Sequence, residues 1–304
     1  SHINCFKITN ALDSVPSDAQ VTYAEGFPAD KDLYDDTLAA EAIKTAASAD
    51  KVVIFAGLPD SFESEGYDRS HMRLPECQNR LIAEILKVQP NTVIVLHNGS
   101  PVELPWLNDI KGLLEAYLGG QAGGTAVANI LYGKVNPSGK LAETMPLKLS
   151  DNPSYLNFGG GEKVEYHEGV FVGYRYYDTK EMDVAYPFGY GLSYTTFACS
   201  DLKISNENPT DKDTITVSVD VTNTGNMAGK EVVQLYVKDC THSAIRPEKE
   251  LKGFEKVFLN PGETKTVTME LDKRSFAWYN TELHDWIAAS GEYKLLVGTS
   301  SRDI

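Results

Sequence analysis

The sequence predicts an α/β fold, an α/β/α sandwich with a mostly parallel sheet, followed by an all-β sandwich. Unbroken apolar runs at 51–57 and 92–96 alternate with segments whose apolar residues recur at helical spacing, and strand–helix–strand alternation implies parallel pairing. From about Asp201 the period drops to two, with turn clusters between the runs. That pattern belongs to antiparallel strands with one buried face.

Taken in order, Val21-Thr22-Tyr23 reads as a short strand. A helix follows over 36–47, where Leu38, Ala39, Ala42, Ile43 and Ala46 share one face and Asp35 and Asp36 stand near the positive end of its dipole. The run 51–57 ends in Gly57 and is expected to be a strand covered on both faces. Pro75 suits the first turn of a helix over 75–88, with Leu81, Ile82, Ile85 and Leu86 as its apolar face. A strand at 92–96 leads into a turn at Asn98-Gly99, a third strand spans 112–117, and a short helix covers 126–132 after Gly123-Gly124.

Around Asn136 the texture changes. Asn136-Pro137-Ser138-Gly139-Lys140 is a turn cluster. Tyr166, Phe171, Tyr174, Tyr176, Tyr177, Tyr186, Phe188, Tyr190, Tyr194 and Phe197 then crowd an irregular stretch. Packing between domains is the expected use of such large apolar rings, and a sugar-stacking platform is the alternative. Beyond it, Ile215, Val217, Val219 and Val221 alternate with polar residues, as do Val233, Leu235 and Val237, then Val267, Met269 and Leu271, and last Tyr293, Leu295 and Val297. Turns at Asn223-Thr224-Gly225-Asn226 and Asn260-Pro261-Gly262-Glu263 separate them, so a sandwich of the immunoglobulin or fibronectin type III kind is expected. The domains read as 1–150 for the α/β part, 151–200 for the aromatic connector and 201–304 for the β-sandwich.

The bulk numbers exclude several classes. A chain of 304 residues accommodates two domains, and 43 acidic against 28 basic residues leave a formal charge of -15. That field repels nucleic acid and anionic lipid and suits a neutral substrate. No apolar run approaches the roughly 20 residues of a membrane span. Cys5, Cys77, Cys199 and Cys240 are dispersed with no metal-ligand spacing, and a pairing of Cys199 with Cys240 within the C-terminal part is left open. The histidines His2, His71, His97, His167, His242 and His284 form no triad pattern and read as surface or capping residues. Ser1-His2-Ile3-Asn4 has neither an initiator Met nor signal-peptide character; the first suggests an excised piece of a longer protein, the second a cytoplasmic location. The glycines of Leu118-Gly119-Gly120-Gln121-Ala122-Gly123-Gly124 lack P-loop or dinucleotide spacing, and close backbone packing accounts for them better than phosphate binding.

The segment with the most chemistry is Glu63-Ser64-Glu65-Gly66-Tyr67-Asp68-Arg69, just past the apolar run 51–57. A general acid needs a carboxyl group held near its working pKa, and like charges supply one means of raising it. Asp60, Glu63, Glu65 and Asp68 form the crowd, and Arg69 opposes it.

The string Ser64-Glu65-Gly66-Tyr67-Asp68-Arg69, with Leu74-Pro75 after it, resembles the acid/base segment of glycoside hydrolase family 3, the β-glucosidase and β-xylosidase family. More matching strings follow in the same order: Asn98-Gly99-Ser100-Pro101-Val102, Gly119-Gly120-Gln121-Ala122-Gly123-Gly124 and Asn136-Pro137-Ser138-Gly139-Lys140-Leu141. Val172-Gly173-Tyr174-Arg175-Tyr176-Tyr177 and Pro187-Phe188-Gly189-Tyr190-Gly191-Leu192-Ser193-Tyr194 complete the series. Residues 201–304, with Gly229-Lys230-Glu231-Val232-Val233-Gln234 and Leu251-Lys252-Gly253-Phe254, resemble that family's fibronectin type III-like domain.

The resemblance implies a retaining β-glucosidase acting on a β-glucoside or oligosaccharide. Its general acid/base is Glu65, the Glu directly before the Gly, with Glu63 as the competing choice. It implies no metal or organic cofactor. It also implies a partner, because residues 1–50 cannot contain the (β/α)8 barrel that carries the family's Asp nucleophile. Asp68 and Arg69 are expected to pair and shape the loop, and the rival readings are a non-catalytic carbohydrate-binding or scaffold module, or the same role in a β-xylosidase.

Overall fold

The computed structural model describes residues 4–159 and 161–304, so His2 lies outside the described residues. The chain divides into two compact units, one running up to Val135 and including Leu147–Leu149, the other comprising Asn136–Pro146 and Ser150–Ile304.

In the first unit, helix α1 (Asp36–Ala47) starts where expected. The Asp35 carboxylate accepts the Thr37 and Leu38 amides and so satisfies two donors that the helix cannot. Strands β1 (Val52–Gly57), β2 (Thr92–His97) and β3 (Gly112–Glu115) form a parallel sheet in the order β1-β2-β3, with Gly57 opposite His97 and Glu115 opposite Leu96. Helix α2 (Glu76–Val88) packs with α1 against one face of this sheet, and Ala39, Ala42, Leu81, Ile82, Ile54 and Leu96 share a core there.

The expectation that β1 is covered on both faces does not hold. Ile54 and Ala56 are buried, but Val53 and Phe55 are each 41 % exposed, because β1 is an edge strand and α1 and α2 cover only its other face. Nor is 21–23 a strand: Val21 and Tyr23 are exposed and find no ladder partner. Helix α3 (Gly123–Leu131) begins earlier than the apolar spacing suggested, since two small glycines can open a helix lying against another segment. A Cβ on Gly124 would sit 2.4 Å from the Asn10 backbone, so close packing explains this glycine as expected, whereas Gly120, at φ +62°, and Gly123 have open space around them.

Pro75 does not open α2 with a helical turn but stands as its extended N-cap without a capping side chain. The capping carboxylate comes from far upstream: Asp32 accepts the Glu76 amide at 2.9 Å and the Cys77 amide at 2.8 Å. Partial burial pushes the Asp32 pKa up, but the Cys77 and Glu76 amides and nearby His71 more than offset it and hold the carboxyl below its ordinary 3.8. A folded pKa below the unfolded one means the cap stabilises fully above 3.8 and fades as pH falls through the lower folded value. Asp32→Ala is therefore expected to cost about 1 kcal/mol near neutral pH and progressively less in acid. Urea titrations of both proteins from neutral pH downward check this, and a pH-independent difference would contradict it.

The second unit holds two short antiparallel pairs, β4 (Met145–Pro146) with β5 (Val184–Tyr186) and β11 (Trp278–Asn280) with β12 (Asp285–Ile287), and the β-sandwich. One sheet is β10-β7-β6, made of β6 (Phe197–Ile204), β7 (Ile215–Asn223) and β10 (Thr264–Leu271). The other is β13-β8-β9, made of β8 (Gly229–Asp239), β9 (Glu250–Leu259) and β13 (Tyr293–Gly298). All their pairings are antiparallel. The alternating residues read from the sequence meet in one core: Ile215, Val217, Val219 and Val221 against Val233, Leu235, Val267 and Leu271.

The aromatic stretch packs largely within this unit. Tyr174, on helix α4 (Tyr174–Thr179), stands 4.8 Å from Phe188 and 5.8 Å from Tyr236, and its hydroxyl accepts the Leu251 amide at 2.7 Å. Tyr166, by contrast, is exposed. The turn cluster at Asn136 is a staple: Asn136 donates to Ala228 O and accepts from Ser193 and Tyr194, while Lys140 reaches Glu231 at 2.8 Å. Another buried cation, Arg246 in the β8–β9 connection, serves Asp239 and Glu250 and donates to the Phe276 and Ala277 carbonyls.

The four cysteines are unpaired, and burial pushes the Cys77 thiol up to about 11. Among the described residues no helix is long and apolar enough to cross a membrane, and no cluster of three or more His, Cys, Asp or Glu is placed to hold a metal ion.

Candidate active site

Parallel pairing decides where the acidic loop stands. With Gly57 opposite His97, the chain leaving β1 and the chain leaving β2 emerge at the same edge of the sheet, the carboxyl edge where open α/β folds place their ligands. The departure from β1 is held firmly. Gln78 of α2, itself buried, accepts the Gly57 amide at 3.0 Å and donates to the Gly57 carbonyl at 2.9 Å, leaving neither backbone group orphaned. Leu58 N then donates to His97 O at 3.0 Å, and the chain turns at Pro59, whose carbonyl accepts the Phe62 and Glu63 amides.

Glu63 is committed to the neighbouring loop. One carboxylate oxygen accepts the Gly99 amide at 2.6 Å; the other accepts the Ser100 hydroxyl at 2.8 Å and faces Arg69 Nη1 at 3.4 Å. Arg69 in turn donates to Ser100 Oγ at 2.7 Å and to the Pro101 carbonyl at 3.1 Å. The Ser100 hydroxyl thus accepts from the guanidinium and donates to the carboxylate, using its one donor and one of its two acceptor sites. Such charge-assisted bonds are about twice as strong as neutral ones. A Cβ on Gly99 would stand 3.2 Å from the Glu63 carboxylate, a contact tight enough to favour glycine there. The expected pairing of Asp68 with Arg69 is therefore corrected: the ion pair of Arg69 goes to Glu63, because Glu63 and Arg69 both lie against the Gly99–Pro101 backbone.

Between Glu63 and Arg69 the five residues Ser64, Glu65, Gly66, Tyr67 and Asp68 are all exposed. Gly66 has φ +101°, a conformation that L side chains rarely adopt, and it turns the tip. The Tyr67 hydroxyl donates to the Asp60 carbonyl. Glu65 thus stands on a projecting tip whose two ends are anchored. Past the tip, His71 meets Phe62 edge-on at 5.7 Å, Met72 O accepts the Glu103 amide at 2.8 Å, and Leu74 is buried in the core.

The loop after β2 is braced in the same way. Asn98, fully buried, donates to Ser100 O at 3.0 Å and to Glu115 at 3.4 Å, so the carboxyl end of β3 supports it. The sequence places a turn at Asn98-Gly99 without giving it a part in the site. Its position after the adjacent parallel strand was the available signal.

The comparisons with known proteins bear on this arrangement. The model of the Glycosyl hydrolase family 3 C-terminal domain matches residues 6–194, which contain both loops. The chain belongs to glycosyl hydrolase family 3, as a C-terminal domain. A Fibronectin type III-like domain model matches residues 231–301, within the β-sandwich.

Relatives of this family 3 chain include thermostable beta-glucosidase B of Acetivibrio thermocellus, 58 % identical over the whole chain and 41 % of the relative's length. An exo-alpha-(1->6)-L-arabinopyranosidase of Bifidobacterium breve is 47 % identical over the whole chain and 40 % of its own length. The chain thus spans about two fifths of the length of these curated relatives. Among solved structures, the family 3 beta-glucosidase of Bifidobacterium adolescentis superposes with a TM-score of 0.95 at 47 % identity, covering 99 % of this chain and 45 % of that one. The beta-glucosidase of Kluyveromyces marxianus, solved with glucose, gives a TM-score of 0.84 at 49 % identity, over 89 % of this chain and 33 % of that one.

Proposed function

We propose that this chain supplies the general acid/base of a retaining β-glucosidase, that Glu65 is that residue, and that the Asp nucleophile resides on a (β/α)8 barrel outside this chain. The observation that carries the reading is the contrast between the two candidate carboxylates. Both oxygens of Glu63 are engaged by Gly99, Ser100 and Arg69, whereas Glu65 stands on an exposed tip directly before the positive-φ Gly66. A residue that delivers a proton to a substrate must be accessible, and of the pair Glu65 is the exposed one.

In the proposed reaction the protonated Glu65 gives its proton to the glycosidic oxygen as the C1–O bond breaks and the Asp carboxylate bonds to C1. The resulting Glu65 carboxylate then takes a proton from water. That water attacks C1 and releases the Asp, and the anomeric configuration is retained. Two carboxyl groups roughly 5–5.5 Å apart are required, so the tip would have to be delivered to the nucleophile on the barrel.

The sugar is proposed as glucose on the strength of the beta-glucosidase relatives. The exo-alpha-(1->6)-L-arabinopyranosidase relatives support an α-L-arabinopyranoside as a second reading of the same site.

The test is hydrolysis of 4-nitrophenyl β-glucoside and 4-nitrophenyl α-L-arabinopyranoside by this chain alone, and mixed with a separately produced barrel domain. Turnover only in the mixture is the expected result, and the preferred glycoside selects between the sugars. Turnover by the chain alone would mean that it carries its own nucleophile, and the division of labour proposed here would be wrong.

A further inference from the structure

We propose that Glu63 is a positioning residue: with Arg69 it clasps the base of the Glu65 tip onto the Gly99–Pro101 loop and so sets where the Glu65 carboxyl points. The inference rests on the reading of Glu65 as the acid/base. It deepens that reading by giving the neighbouring carboxylate a task other than proton transfer or charge crowding.

Three features of the geometry carry it. First, Glu63 and Arg69 flank the five exposed residues and meet each other at 3.4 Å, closing the tip at its base. Short closed segments have few conformations, so the direction of the tip follows from the clasp. Second, both residues grip the same three-residue stretch, Glu63 through the Gly99 amide and the Ser100 hydroxyl, Arg69 through the Ser100 hydroxyl and the Pro101 carbonyl. That stretch is itself tied by Asn98 to Glu115 at the end of β3, so the tip is referenced to the rigid sheet. Third, the remainder of the acidic loop has its own anchors, in the Gln78–Gly57 bonds before it and in Met72 and Leu74 after it. Loss of Glu63 therefore frees the tip without unravelling the unit.

A proton donor misplaced by about 1 Å can lose on the order of 10²-fold in rate, and the loss falls on the step that needs the proton. The clasp thus predicts a defect that depends on the leaving group, distinct from a general loss of stability or of substrate binding.

The experiment uses the full-length protein containing this chain, with Glu63→Ala, Glu63→Gln and, as reference, Glu65→Ala. Glu63→Ala is expected to lower kcat on phenyl β-glucoside by about 10- to 100-fold, with KM little changed. The burst of 2,4-dinitrophenolate that reports glycosyl-enzyme formation from 2,4-dinitrophenyl β-glucoside should stay nearly intact. Azide should not rescue it, because the Glu65 carboxylate still excludes the anion. Glu63→Gln keeps an acceptor for the Gly99 amide and should fall between wild type and alanine. Hydrogen–deuterium exchange should accelerate in peptides spanning 60–72 and at the Gly99 amide, which loses its acceptor, and nowhere else. Equal losses of glycosyl-enzyme formation on both glucosides, or unchanged exchange across 60–72, would overturn the clasp. If Glu65→Ala itself shows no leaving-group dependence, the acid/base reading fails and takes the clasp with it. If Glu65→Ala behaves as an acid/base variant while Glu63→Ala matches wild type, the clasp alone is wrong.

Discussion

Glu65→Ala in the full-length protein is expected to cut hydrolysis of phenyl β-glucoside by about 10²–10⁴-fold while leaving formation of the glycosyl-enzyme from 2,4-dinitrophenyl β-glucoside almost untouched. A phenolate with a high pKa cannot depart unprotonated, so the missing acid is felt in full. A dinitrophenolate leaves without help. The second half-reaction still needs a base, so on the activated substrate the glycosyl-enzyme should accumulate and turnover should stall after a burst. Azide, a nucleophile that needs no deprotonation, should then restore turnover and give β-glucosyl azide, entering the space vacated by the carboxylate. A loss of equal size on both glucosides, with no burst and no azide product, would remove Glu65 from the acid/base role. Carrying Glu63→Ala through the same protocol discriminates the two carboxylates, since Glu63 already faces the Gly99 amide, the Ser100 hydroxyl and Arg69.

The largest stability effect is expected at Arg246. Its side chain is 7 % exposed and faces two carboxylates, Asp239 at 4 % and Glu250 at 18 % exposure. Further bonds run to the carbonyls of Phe276, at 2.6 Å, and Ala277. These partners come from the end of β8, the start of β9 and the segment after Leu271, so a single guanidinium joins three parts of the sandwich.

Arg246→Ala leaves Asp239 buried without its cation, and Glu250 with only Lys252 at 3.6 Å. Removing one partner of a buried ion pair costs about 3–5 kcal/mol. That should lower the unfolding temperature of this unit by roughly 10 °C for a unit of its size. The cause is the uncompensated charge, so adding Asp239→Asn and Glu250→Gln to Arg246→Ala should recover part of the loss. Differential scanning calorimetry of the single and triple variants measures both effects. A drop no larger than that of an exposed pair, below about 1 kcal/mol, would show that the cluster contributes little.

These two residues differ in how far they could be read from the sequence. Glu65 sits in a contiguous string, and a string survives without knowledge of its surroundings. The partners of Arg246 lie 7 residues before it, 4 after it and 30 or 31 after it, and no local pattern connects them. The strands divide in the same way. In β7 every second residue is buried, so its period of two was plain, and Ile215, Val217, Val219 and Val221 were placed in the core correctly. In β9 most residues are only partly buried or exposed, without regular alternation, and the strand left no periodic trace although it pairs with β8 along nearly its whole length. Helix α1 was readable to its boundaries because its cap, Asp35, is adjacent in sequence. The start of α2 was misjudged because its cap, Asp32, is not.

The alternation of parallel strands and helices, the switch to a period-two sandwich, and the ordered strings of a family 3 C-terminal domain are legible without any structure. All three are recorded in residues close together along the chain. It takes the folded chain to show that β1 has an open face, that Arg69 answers Glu63 and not Asp68, and that Glu63 and Arg69 both bond to the Gly99–Pro101 loop at the base of the Glu65 tip. The physical reason is common to them. Local periodicity reports which side of an element is buried, whereas the partner of a charge or an edge depends on the register between distant segments, here the parallel alignment of Gly57 with His97.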